Sequence, residues 1–238
     1  MDLNTQYVSV VDTNRLEKHR DIPLLSALKE YSLQDIAAFD VPGHKRGQGV
    51  KVLNQYFGHE LMRMDVNSLP LLDNVSNAKG VIKEAQELLA DAYHADAAFF
   101  MTNGTTSAIH CMLMSVLGPN DKVLLPRNIH KSALNGLILC GATPVYLPTE
   151  MLGKEGIACN VKPSDVESML NQDSNIKAVF LLNPTYYGFV TDLEQIIQIC
   201  HQRDVLVLVD EAHGAHFPFH PDLPPSGVEL GADVSCVS

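Results

Sequence analysis

The 238-residue sequence is poor in several features that mark common functional classes. It has no lysine or arginine run and carries a formal net charge of −11, which disfavours nucleic-acid binding driven by counterion release. Its five cysteines, Cys111, Cys140, Cys159, Cys200 and Cys236, are odd in number, widely spaced and include no Cys-x-x-Cys pair. That spacing argues against a disulfide framework and a thiolate zinc site, and it fits a reducing cytosol. No apolar run approaches the length of a membrane span. The opening "MDLNTQYVSVVDTNRLEKHR" lacks the basic start and long apolar core of a secretory signal. Internal repeats and low-complexity segments are also missing. The expectation is a soluble cytoplasmic protein with small-molecule or protein partners, no nucleic acid and no membrane.

Hydrophobic residues make up 46% of the chain and charged residues 19%, enough apolar material for a substantial core. From about residue 81 the pattern alternates between helical periodicity and short apolar runs. "VIKEAQELLADAYHA" places Ile82, Ala85, Leu88, Leu89 and Ala92 on one helical stripe, and "AAFFM" reads as the strand that follows. The helical "SAIHCMLMSVL", the strand "KVLLP", a helix over "SALNGLILC" closed by Gly141 and the strand "PVYL" come next. Ser164 with Glu167, and Thr191 with Glu194, have capping-box spacing and each opens a helical stretch. The runs "KAVFLLN" and "VLVLVD" read as further strands. Near-continuous apolar strands belong in a mostly parallel sheet covered by helices on both faces, so the fold class is α/β. Residues 1–80 contain one expected helix, "PLLSALKEYS", and loop-like stretches rich in Gly, Pro, Asn and Asp. The expected organisation is an N-terminal arm or subdomain over 1–80 and a larger domain over 81–238.

In such sheets ligands bind beyond the carboxyl ends of the strands, and the segments there are "TNGTTS", "PRNIHKS", "NPTYYG" and "DEAHGAH". Three chemistries compete for "DEAH". A nucleotide-driven motor needs the phosphate loop G-x-x-x-x-G-K-[ST], which no segment matches. A metal site would draw on Asp210, Glu211, His213, His216 and His220, but H-E-x-x-H is absent and a loop fixes no common ligand face. An Asp at a strand end followed by a turn is also ordinary α/β architecture, with solvated histidines. Pyridoxal 5′-phosphate asks for more parts: a carboxylate for its pyridine nitrogen, met by Asp210, and a helix N-terminus with hydroxyls for its phosphate. Gly104, Thr105, Thr106 and Ser107 supply the second, although such residues also serve as plain helix caps.

"PGHKRG", "MTNGTTSA", "PRNIHKSAL", "NPTYYG" and "VDEAHGAH" occur in the order found in the ornithine/lysine/arginine decarboxylases of pyridoxal-phosphate fold type I, and the sequence resembles that family from about Pro23 to Ser238. The resemblance implies that Asp210 pairs with the pyridinium nitrogen, Ala212 lies beneath the ring and His130 stacks on its other face. It also implies that Thr106 and Ser107 hold the phosphate with help from Ser238. His213 is expected to touch cofactor or substrate, with a solvated loop histidine as the alternative; Thr185 and Tyr186 lie on the same edge, with packing as theirs. Lys45 falls in the N-terminal motif, away from the family's attachment lysine. That lysine belongs to a Ser-x-His-Lys sequence, and "GADVSCVS" stops on what resembles its serine. The expectation is therefore the N-terminal part of a homo-oligomeric decarboxylase of arginine, lysine or ornithine serving polyamine synthesis, inactive as this chain alone. The alternative is a non-catalytic cofactor-binding module or a regulatory partner of a full-length decarboxylase.

Overall fold

A computed structural model describes residues 17–238, which divide into two compact units after Phe100. In the C-terminal unit, five parallel strands form one sheet in the order β2-β1-β5-β6-β7. These are β1 (Lys122–Leu125), β2 (Thr143–Tyr146), β5 (Ile176–Leu182), β6 (Leu206–Glu211) and β7 (Val234–Val237); β3 (Met151–Leu152) and β4 (Ile157–Ala158) make a separate antiparallel pair. Successive strand residues point to opposite faces, and both faces are covered. Val123, Leu125, Ala178, Phe180 and Leu208 pack with Ile109, Met112, Leu113, Ala133 and Leu137 from the helices Gly104–Val116 and Lys131–Cys140. Leu124, Val179, Leu181, Val207 and Val209 face Val166, Leu170, Leu193, Ile196 and Ile197 from Pro163–Gln172 and Leu193–His201. Two-sided burial is why these strands read as unbroken apolar runs. Each of the Val, Leu, Ile, Met and Phe side chains among these contributes roughly 1.5–3 kcal/mol relative to exposure, so packing sets the strand registers. That packing aligns Leu182 with Asp210 and Asp210 with Cys236 at the carboxyl edge.

Local signals were correct for most elements and wrong for some ends. Lys131–Cys140 closes on Gly141, whose φ of 72° places it in the left-handed region, with Ala142 N–H donating to the Leu137 carbonyl. Both capping-box assignments fail. Pro163 opens its helix with Lys162 as N-cap, leaving Ser164 inside the first turn. Asp192 caps Leu193–His201, its carboxylate accepting from Gln195 N–H at 3.1 Å. Thr191 sits one residue too early and donates its N–H to Asn183 Oδ1. "AAFFM" forms no strand: it has no ladder partner among the described residues, and Phe99 is 70% exposed. A short apolar run alone cannot supply a hydrogen-bonding neighbour.

The N-terminal unit contains α1 (Pro23–Leu33), α2 (Lys51–Phe57), α3 (His59–Met64) and α4 (Val81–Ala92); the two short helices were not legible as elements. Ala85, Leu88, Leu89 and Ala92 of α4 share an apolar groove with Leu24, Leu25 and Leu28 of α1. Residues 81–92 therefore group with the N-terminal unit, a boundary different from the division at residue 80 expected from periodicity. Arg46, from "PGHKRG", is buried and donates to the carbonyls of Tyr31, Ser32 and Gln34, capping the end of α1 while its guanidinium lies 5.1 Å from the Tyr31 ring centre. At the start of α4, Asp73 accepts from the N–H groups of Gly80 and Ile82. Partial burial pushes its carboxyl up, but these and neighbouring backbone donors prevail and hold it at about 2.

Candidate active site

The carboxyl ends of β1, β5 and β6 and the first turn of the helix Gly104–Val116 surround a cavity of about 500 Å³ within the C-terminal unit. Its floor is Asp210, 1% exposed, held on β6 and followed by the turn that brings Ala212 N–H to Asp210 Oδ1 at 3.1 Å. Burial raises the pKa of this carboxyl; the Ala212 N–H and the nearby imidazoles of His130 and His213 pull it back down without cancelling the rise. A buried carboxylate flanked this way is suited to a cationic or protonated-nitrogen partner. The turn is tight because Gly214 abuts the neighbouring strand end: a Cβ there would lie 3.0 Å from Pro184 Cδ and 3.3 Å from the Asn183 carbonyl oxygen.

Gly104, Thr105 and Thr106 also line the cavity. The preceding Asn103 makes no side-chain cap, so the first N–H groups of this 13-residue helix have no side-chain acceptor. With the positive end of the helix dipole, they are suited to receive an anion. His130, Asn128 and Ile129 form one wall, and Tyr186 with His213 forms the rim. Tyr186 meets His213 edge-on at 6.0 Å and Tyr187 at 5.5 Å. Asn128 Oδ1 is shielded from solvent and has no hydrogen-bond partner among the described residues, an acceptor in the wall that a ligand donor can satisfy.

Of the residues singled out from the sequence, Thr106, His130, Asp210, Ala212, His213 and Tyr186 line this cavity. Ser107 and Ser238 do not. The Ser107 hydroxyl turns back to donate to the Gly104 carbonyl at 3.0 Å, and Ser238 lies one residue past β7. Thr185 is buried, and its backbone and hydroxyl bond Phe189, building the turn that carries Tyr186. Lys45 belongs to the other unit, its ammonium donating to the Asp40 carbonyl. Glu211 points to the opposite sheet face, where it accepts from Gly227 N–H and the Ser235 hydroxyl; burial raises its carboxyl's pKa, which these two donors partly offset. Among the described residues no cluster of His, Cys, Asp or Glu is arranged to hold a metal ion. Asn128 and Ser132 were missed. Their only signal was proximity to His130 in "RNIHKS", which does not separate wall residues from ordinary turn residues.

Comparison with known proteins decides the family. Residues 22–237 match the family model described as Orn/Lys/Arg decarboxylase, major domain. The chain belongs to the Orn/Lys/Arg decarboxylase family. It is 44% identical over 219 residues to an arginine decarboxylase of Bacillus cereus, covering 92% of this chain and 48% of that protein. It is 30% identical over 218 residues to the lysine decarboxylase LdcA of Pseudomonas aeruginosa, covering 83% of this chain and 29% of that one. The solved structure of lysine decarboxylase A from Pseudomonas aeruginosa superposes with a TM-score of 0.80 at 27% identity, covering 94% of this chain and 33% of that chain. The chain thus spans about half the length, or less, of the family members it matches. The five motifs of the family resemblance lie within the matched residues.

Proposed function

We propose that this chain provides the cofactor-binding portion of a pyridoxal-phosphate-dependent decarboxylase of basic amino acids, yielding a polyamine-type amine. The observation that carries the reading is one cavity lined both by an uncapped helix N-terminus and by the buried Asp210 carboxylate. That donor set fits a ligand bearing a phosphate and a protonatable ring nitrogen. When bound, pyridoxal phosphate supplies an electron-poor ring that takes up the electron pair released as CO₂ leaves. The chain's own groups do the rest of what these residues offer. The N–H groups of the first helical turn and the Thr105 and Thr106 hydroxyls bind the phosphate; Ser107 contributes its backbone N–H. Asp210 keeps the ring nitrogen protonated, and its burial strengthens that attraction because few waters compete. His130 offers a flat face, and Ala212 is small enough to let the ring lie close. His213 and Tyr186, at the rim, are placed to meet the substrate.

Arginine is the first substrate to test, given the 44% identity to an arginine decarboxylase, with lysine and ornithine beside it. We place the protein in the cytoplasm, which its free cysteines favour; no helix among the described residues is long and apolar enough to cross a membrane. The reading is tested by equilibrium dialysis of the chain against pyridoxal phosphate and against pyridoxal. Saturable binding of the phosphorylated form, much weaker for pyridoxal, is expected. Equal binding of the two would contradict a phosphate held at the helix end. The 238-residue chain assayed alone should release negligible CO₂ from arginine, lysine or ornithine, because none of its lysines stands in the Ser-x-His-Lys motif and covalent attachment needs a placed amine. Turnover abolished by Asp210→Ala would mean that another lysine serves.

A further inference from the structure

His130 is the N-cap of the helix Lys131–Cys140, and its Nδ1 accepts from Ser132 N–H at 3.2 Å while lying 2.8 Å from Ser132 Oγ. A backbone N–H only donates, so Nδ1 must present its lone pair. The Ser132 hydroxyl, which can donate or accept, is then obliged to donate to the same nitrogen. A neutral imidazole has one ring proton, and it is left on Nε2. Nε2 has no partner among the described residues, and the ring lines the cavity with Asp210. Ser132 is completely buried at 0% exposure, whereas the intervening Lys131 is exposed. A buried hydroxyl is costly unless it is bonded, and here its bond is to the imidazole.

We propose that Ser132 is the positioning residue for His130: it fixes the Nε2–H tautomer and holds the ring against the cavity, so that a bound ligand meets a set ring face and a single N–H donor. The consequence for cofactor binding rests on the function proposed above; the tautomer does not.

Long-range ¹H–¹⁵N correlation spectra of the cofactor-free chain, with His130→Gln for assignment, read the tautomer directly and need no variant of Ser132. A bare, pyridine-type Nδ1 and a protonated, pyrrole-type Nε2 are expected; a proton on Nδ1 overturns the assignment. Ser132→Ala retains the backbone donor and loses the hydroxyl. It should bring in the second tautomer and weaken pyridoxal phosphate binding roughly 3- to 10-fold, and Ser132→Thr should restore both. A Ser132→Ala spectrum identical to wild type overturns the proposal. If the wild-type chain binds no pyridoxal phosphate, the proposed function fails while the spectrum still decides the role of Ser132.

Discussion

Asp210 joins two opposed demands in one side chain. Its carboxyl is raised by burial in the free protein, so the fold is most stable where that group is protonated in both folded and unfolded states. Stability is lost as pH rises from the ordinary aspartate range through the higher folded value. A cofactor nitrogen reverses the balance by giving the charge a partner. Asp210→Asn should therefore melt at a higher temperature than wild type at neutral pH and at the same temperature in acid, while losing roughly 10- to 100-fold in pyridoxal phosphate affinity. Calorimetry at two pH values checks the first half, and a lower melting temperature at neutral pH would refute it. At this scale the sequence placed Asp210, His130, Ala212 and His213 just past strand ends and Thr106 at a helix start, and the structure brings all five to one cavity. The Ser107 hydroxyl direction was not legible because it depends on helix phase: its partner in this structure is the Gly104 carbonyl one turn back. Asn128 was invisible because an unpaired acceptor is a property of surroundings that residue identity does not encode.

Elements were legible where burial wrote itself into composition. β5 and β6 are apolar on both faces and stood out as continuous runs, whereas α2, α3 and the two-residue strands β3 and β4 have no such stripe. Helix starts were harder, since a threonine and an aspartate in adjacent positions are both acceptable caps and only backbone geometry chooses. That choice is testable. Asp192→Ala should cost about 1 kcal/mol by removing the acceptor for Gln195 N–H, whereas Ser164→Ala, inside its first turn, should change stability by less than about 0.5 kcal/mol. Chemical denaturation of the two variants reads the difference; equal losses would restore the capping-box assignment. Glu211 ties β6 to Ser235 of β7 and to Gly227. It is thus a structural neighbour of Asp210 that faces away from the cavity.

For the whole molecule, the helix Lys131–Cys140 turns Leu134, Ile138 and Leu139 outward, with exposures of 40%, 78% and 60%. An apolar stripe of that kind on the element that carries His130 suits the homo-oligomer that the family resemblance leads one to expect. Light scattering over a range of concentrations should show dimers or larger species, and Ile138→Asp should shift them toward monomer. A monomer at every concentration would remove self-association from the account. The central claim is that the strand-end cavity is a pyridoxal phosphate site. Its most direct test is calorimetric titration of the wild-type and Thr106→Val chains with the cofactor, followed by borohydride reduction and mass spectrometry. The account predicts one saturable, noncovalent site per chain, weakened by Thr106→Val, and no dominant pyridoxyl-lysine. Absence of saturable binding, affinity indifferent to Thr106, or a single modified lysine holding the cofactor would contradict it.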